Sequence, residues 1–113
     1  MHPFGKVRWL FIATAALLAF GAQAERRALL VGVSAYPGLP ADKQLQGPMN
    51  DVPLMRSALI ERGFGSENIR VVADGIPGAE LPTHANILKA AGALADAAIR
   101  GDFVVLYMAG HGL

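Results

Sequence analysis

Phe103–Met108 is an unbroken apolar run of six residues that stops at Ala109-Gly110-His111-Gly112. A short apolar run bounded by turn residues fits a strand buried on both faces, the kind found in parallel sheets covered by helices. The run also carries an imidazole to the strand's carboxyl end, where open α/β sheets place their ligands and chemistry. Small residues on both sides leave the ring accessible.

The segment before it has the alternation that a parallel sheet requires. Ala28-Leu29-Leu30-Val31-Gly32-Val33 reads as a central strand, and Tyr36-Pro37-Gly38-Leu39-Pro40 breaks it. A loop through Gly47-Pro48 leads to a helix capped by Asn50 or Asp51 and running to about Arg62, with Pro53 in its first turn. Val52, Met55 and Leu59, with Ala58, supply its apolar face. Gly63 follows as a left-handed stop. Ile69–Val72 is a second strand, ending at Asp74-Gly75. Thr83 caps a second helix to about Arg100, with Ile87, Ala91, Leu94 and Ala98 on one face, widened by Leu88 and Ala95. The expected order is β-α-β-α-β, an α/β fold that amounts to part of a parallel sheet. Parallel strands this apolar need neighbours, so chain beyond Leu113 is expected to cover the third strand.

Lys6 and Arg8 precede a 12-residue, mostly apolar stretch, Trp9–Phe20, followed by Gly21-Ala22-Gln23-Ala24. A basic start, a short apolar core and an A-x-A end form a signal-peptide pattern. The stretch is shorter than the roughly 20 residues that span a bilayer. Residues 1–24 are therefore expected to direct export to the periplasm or medium, leaving residues 25–113 with no membrane attachment. The alternative is an uncleaved anchor. Without Lys6 and Arg8, eight basic residues face nine acidic ones, a balance of −1 that offers no basic face for nucleic acid. The chain has no cysteine, which excludes disulfides, thiolate metal sites and thiol chemistry by these residues alone.

Four pieces in order resemble the caspase-like cysteine peptidases, particularly metacaspases of the peptidase C14 family. Arg27–Tyr36 is similar to the opening strand with its "ALLVGI..Y" character, and Leu45–Val52 to the "L.G..ND" loop and helix start. Gly101–Gly112 is similar to the "GD....Y.SGHG" histidine strand, and the segments Asn68–Asp74 and Thr83–Ile87 also fit. The resemblance covers residues 26–113. It implies a Cys–His dyad in which His111 activates the thiol and later protonates the leaving amine of a peptide or protein substrate. It further implies that the backbone N–H of Gly112 helps bind the oxyanion. Asp51 would contribute to an acidic pocket for Arg or Lys on the substrate; as a residue preceding an apolar periodic run, it could equally cap the helix. In caspases the histidine lies about 50 residues upstream of the nucleophile, which puts the cysteine past Leu113. The expected partner is thus the C-terminal half of the domain, and residues 25–113 are its N-terminal part.

A catalytically inactive caspase-like interaction module is the alternative function. Other motifs carry less. His84 reads as a solvent-facing residue at a helix start, and no two histidines have zinc-ligand spacing. Arg100-Gly101-Asp102 spells an adhesion tripeptide but reads as a helix stop and a strand entry. Ser34 lacks a nucleophile-elbow context, and no glycine-rich phosphate loop is present. No cofactor is implied.

Overall fold

The computed structural model describes residues 24–111. The expected export segment through Gln23 lies outside the described residues, as does Gly112.

Three strands, β1 (Arg26–Gly32), β2 (Ile69–Ala73) and β3 (Phe103–Ala109), form one sheet in the order β2-β1-β3. Both pairings are parallel; Ala28 aligns with Ile69 and Val105, and Gly32 with Ala73 and Ala109. Helix α1 (Gly47–Glu61) links β1 to β2, and α2 (His84–Ala97) links β2 to β3. The sequence order β-α-β-α-β is therefore the observed one, with β1 central as its continuous apolar run requires.

Side chains alternate across β1, and each helix covers one face. Ala28 and Leu30 meet Val52, Leu59, Phe64 and Ile69 on the α1 side, with Val105 and Tyr107 of β3 packed at the margin. Leu29 and Val31 meet Val72 and Ala90 on the α2 side, with Ile87, Ala91 and Leu94. That second layer stops short of β3. Val104, Leu106 and Met108, which alternate with Val105 and Tyr107, are 45, 58 and 62% exposed.

Helix boundaries depart from the sequence expectation. α1 begins at Gly47, three residues before Asn50, with Pro48 in its opening positions. A proline there forfeits only an N–H that has no helical acceptor, so a dipeptide that reads as a breaker starts the helix. Asp51 is consequently a second-turn residue and not a cap, and Pro53 lies inside the helix, where it deprives the Met49 carbonyl of its donor. α2 ends at Ala97 and not at Arg100, and Leu88 faces outward at 58% exposure. Thr83 caps α2, its hydroxyl accepting from the Asn86 N–H at 3.1 Å. Gly63 is left-handed, with φ of 92°.

Asp102 joins the heads of β1 and β3. Its carboxylate accepts from the N–H groups of Glu25 at 2.7 Å and Ile99 at 2.9 Å and from Arg27 Nε at 3.0 Å. The side chain is 1% exposed, so the adhesion-like tripeptide has no free aspartate. The Glu25 N–H, then the Ile99 N–H, then Arg27 hold this carboxyl below its usual range, against the opposing pull of burial. A depressed folded pKa contributes stability that is complete above the ordinary value and is lost as pH falls through the folded one. Asp102→Asn is therefore expected to flatten the loss of stability on acidification below about pH 4, as followed by urea unfolding at several pH values. An unchanged acid profile would show that the carboxylate contributes nothing there.

Candidate active site

Three parallel strands bring their carboxyl ends to one edge, and the chain direction there divides: from β1 it passes to β2 on one side and later to β3 on the other. The crevice between the ends of β1 and β3 is the switch point at which open α/β sheets bind ligands. His111 leaves β3 into this crevice and Tyr36 enters it from the loop after β1.

The two side chains meet there. Their ring centroids are 4.5 Å apart at 57°, and the Tyr36 hydroxyl oxygen accepts from the His111 backbone N–H at 2.6 Å. His111 Nε2 lies 2.6 Å from the Lys43 carbonyl oxygen. A carbonyl only accepts, so this contact places the ring proton on Nε2 and leaves Nδ1 with its lone pair. The ring so held presents Nδ1 as its acceptor atom. Gly110 is required by the same packing: a Cβ on it would lie 2.7 Å from the Tyr36 hydroxyl.

The loop carrying Tyr36 and Lys43 is itself braced. Asp74, at the end of β2, accepts from the N–H groups of Ser34 at 2.7 Å and Ala35 at 2.6 Å. Gln44 accepts from the Tyr36 N–H through Oε1 at 2.5 Å, and its amide donates to the Tyr36 carbonyl at 2.8 Å. A cavity of about 280 Å³ opens beside the histidine between Val31, Val33, Ile87 and Met108. His111 is exposed.

Of the residues singled out from sequence, His111 stands at the strand tip as expected. Asp51 is exposed on α1, and its side chain makes no hydrogen bond or ion pair among the described residues. Gly112 lies outside the described residues. His84 is exposed at the first position of α2. Ser34 is 1% exposed, which removes it from contention as a nucleophile. Sequence reasoning missed Tyr36 as a support for the histidine, and with it the Lys43 carbonyl, Gln44 and Asp74. Tyr36 had a signal in the strand-ending "..Y"; a backbone carbonyl has none, since any residue supplies it.

Tyr36→Phe removes one hydrogen bond to the histidine's backbone, worth about 0.5–1.5 kcal/mol. In the active protein proposed below, the expected result is a fall in kcat of about 2- to 10-fold with little change in KM. An unaltered kcat would show that the hydroxyl does not position His111.

Residues 26–113 match the metacaspase, peptidase C14 domain family. The chain is 41% identical over 88 residues to Metacaspase-4 of Arabidopsis thaliana, covering 77% of this chain and 20% of the relative. It is 40% identical over 88 residues to Metacaspase-7 of the same plant, covering 77% and 21%. It is 40% identical over 89 residues to Metacaspase-1B of Aspergillus fumigatus, again 77% and 21%. The chain belongs to the metacaspase family, and its three-stranded α/β layer is part of a caspase-like fold. It spans about a fifth of the length of these relatives.

Proposed function

We propose that residues 25–113 are the histidine-bearing part of a cysteine endopeptidase domain, in which His111 is the general base and a cysteine encoded beyond residue 113 is the nucleophile. The observation that carries this reading is the Lys43 carbonyl on Nε2, which leaves Nδ1 of an exposed imidazole free at the mouth of the β1–β3 crevice. The mechanism follows from that tautomer. Nδ1 withdraws the thiol proton, the thiolate adds to the scissile carbonyl, and the imidazolium returns the proton to the leaving amine. Water then attacks the acyl-enzyme with the same imidazole as base. The Gly112 N–H is the proposed donor to the oxyanion.

Asp51 is proposed to attract an arginine or lysine side chain of the substrate. Its side chain's freedom from partners among the described residues supports this over a capping role, because both carboxylate oxygens are left open to a cation. The full-length enzyme is expected to cleave Arg- and Lys-ending fluorogenic peptides in preference to Asp-ending ones, and Asp51→Asn is expected to lower kcat/KM for the basic substrates about tenfold or more. Equal cleavage of acidic and basic peptides would remove Asp51 from this role.

The remainder of the domain is the proposed cover for β3, whose Val104, Leu106 and Met108 form an apolar row on the free side of the sheet. That row also supports the second reading, an inactive caspase-like module that binds a protein partner. Reading the gene through codon 113 separates the two. An open frame with a cysteine after the next apolar strand supports the peptidase; a stop codon or a replaced cysteine supports the module. Purified residues 25–113 are expected to hydrolyse no peptide, since they contain no thiol. Turnover by this fragment would overturn the assignment of the nucleophile.

A further inference from the structure

The residue that follows Ala22-Gln23-Ala24 is also the first whose backbone is held on both sides at the head of β3. The Glu25 carbonyl accepts from the Phe103 N–H at 2.9 Å, and the Glu25 nitrogen donates to Asp102 Oδ1 at 2.7 Å. Ala24, one residue earlier, is exposed and makes no hydrogen bond among the described residues. The A-x-A motif therefore ends where the sheet begins, with no overhang between them.

The acceptor at that boundary is suited to more than an amide. Asp102 has a side chain 1% exposed and already faces one cation, Arg27 Nε at 3.0 Å. The Ile99 N–H occupies Oδ2 together with Arg27, so the Glu25 nitrogen is the group on Oδ1. Glu25's own carboxylate is turned to Asn68, whose amide donates to Oε2 at 3.4 Å. A backbone amide gives this carboxylate one neutral donor. An α-ammonium at the same nitrogen would give it a charged one, which makes a hydrogen bond roughly twice as strong, and its two further N–H bonds could reach solvent.

We propose that residues 1–24 are removed by hydrolysis of the Ala24–Glu25 bond and that the α-ammonium created at Glu25 forms an ion pair with Asp102, fastening the mature N-terminus to the head of β3. Water adds across the peptide C–N bond. The Ala24 carbonyl carbon takes the hydroxyl oxygen and departs with the leader as a carboxylate. The Glu25 nitrogen takes the protons and becomes the ammonium. A signal peptidase, which selects small residues at the positions occupied by Ala22 and Ala24, supplies the catalysis. The low pKa of Asp102 keeps the acceptor charged at neutral pH. The inference is independent of the peptidase reading, since it concerns the amino end of the sheet and not the edge that carries His111.

The test expresses the gene whole in a host that exports the protein. The N-terminal residue is read by mass spectrometry, and the rate of α-amine acetylation by an N-hydroxysuccinimide ester is measured at pH 7. The first residue is expected to be Glu25. Pairing that raises the amine's pKa by one unit lowers its free-base fraction, and so its acetylation rate, about tenfold. The comparison protein carries a serine inserted between Ala24 and Glu25 and begins at that serine. There the Glu25 nitrogen is an amide again, with Asp102 and Arg27 intact, and the amine is expected to react at the ordinary rate. Asp102→Asn is expected to restore the ordinary rate in protein that begins at Glu25. A mature protein beginning elsewhere, or equal reactivity of the Glu25 and inserted-serine forms, would overturn the proposal.

Discussion

His111→Ala in the full-length protein is expected to lower kcat/KM for peptide hydrolysis by about 10²–10⁴-fold, the range spanned by positioned general acids and bases. In the proposed mechanism the loss arises at two steps, because the same imidazole takes the thiol proton and delivers it to the leaving amine. KM is expected to move little, since the ring makes its contribution in the transition state. The fold should survive: His111 is exposed and lies two residues beyond the end of β3, so no core contact is lost. Steady-state kinetics beside a thermal melt checks both halves. An unfolded variant would instead point to the His111–Tyr36 contact as structural, and the Tyr36→Phe kinetics would then decide its catalytic part.

The second large effect concerns burial. Leu29 and Leu106 are partners across β1 and β3, yet Leu29 is 1% exposed and Leu106 is 58% exposed. Leu29→Ala is expected to cost about 2–5 kcal/mol through lost transfer energy and a residual cavity, a large share of the roughly 5–15 kcal/mol that holds a domain together. If the rest of the domain covers β3, as proposed, Leu106→Ala in the full-length protein costs about as much. Urea unfolding of both variants measures the two. A Leu106→Ala protein as stable as the parent would show that the β3 face stays open, which favours the interaction-module reading.

Strand content and order were legible because short, fully apolar runs between turn residues have few alternatives to a parallel strand, although β3 is largely exposed where β1 is buried. The ends of the elements were less so. Gly47-Pro48 reads as a turn from composition but opens α1, because helix starts and turns share a tolerance for proline. Asn50 and Asp51 attracted the cap assignment by residue type, yet neither caps the helix. The site was half legible. His111 announced itself through its glycine neighbours and strand end. Its orienting contacts did not, since one comes from the backbone of Lys43, 68 positions away, and the bracing of that loop by Asp74 spans 40. Long-range bonds of this kind depend on sheet order, which periodicity does not encode.

The pH dependence of thiol alkylation by iodoacetamide in the full-length protein, compared with its His111→Gln variant, tests the central claim most directly. A thiol paired with His111 should react as a thiolate well below its ordinary pKa of about 8.5. His111→Gln is expected to return the profile to that ordinary range while the protein remains folded. Identical profiles in the two proteins, or no reactive thiol in the full-length protein, would contradict the assignment of His111 as the base of a cysteine peptidase.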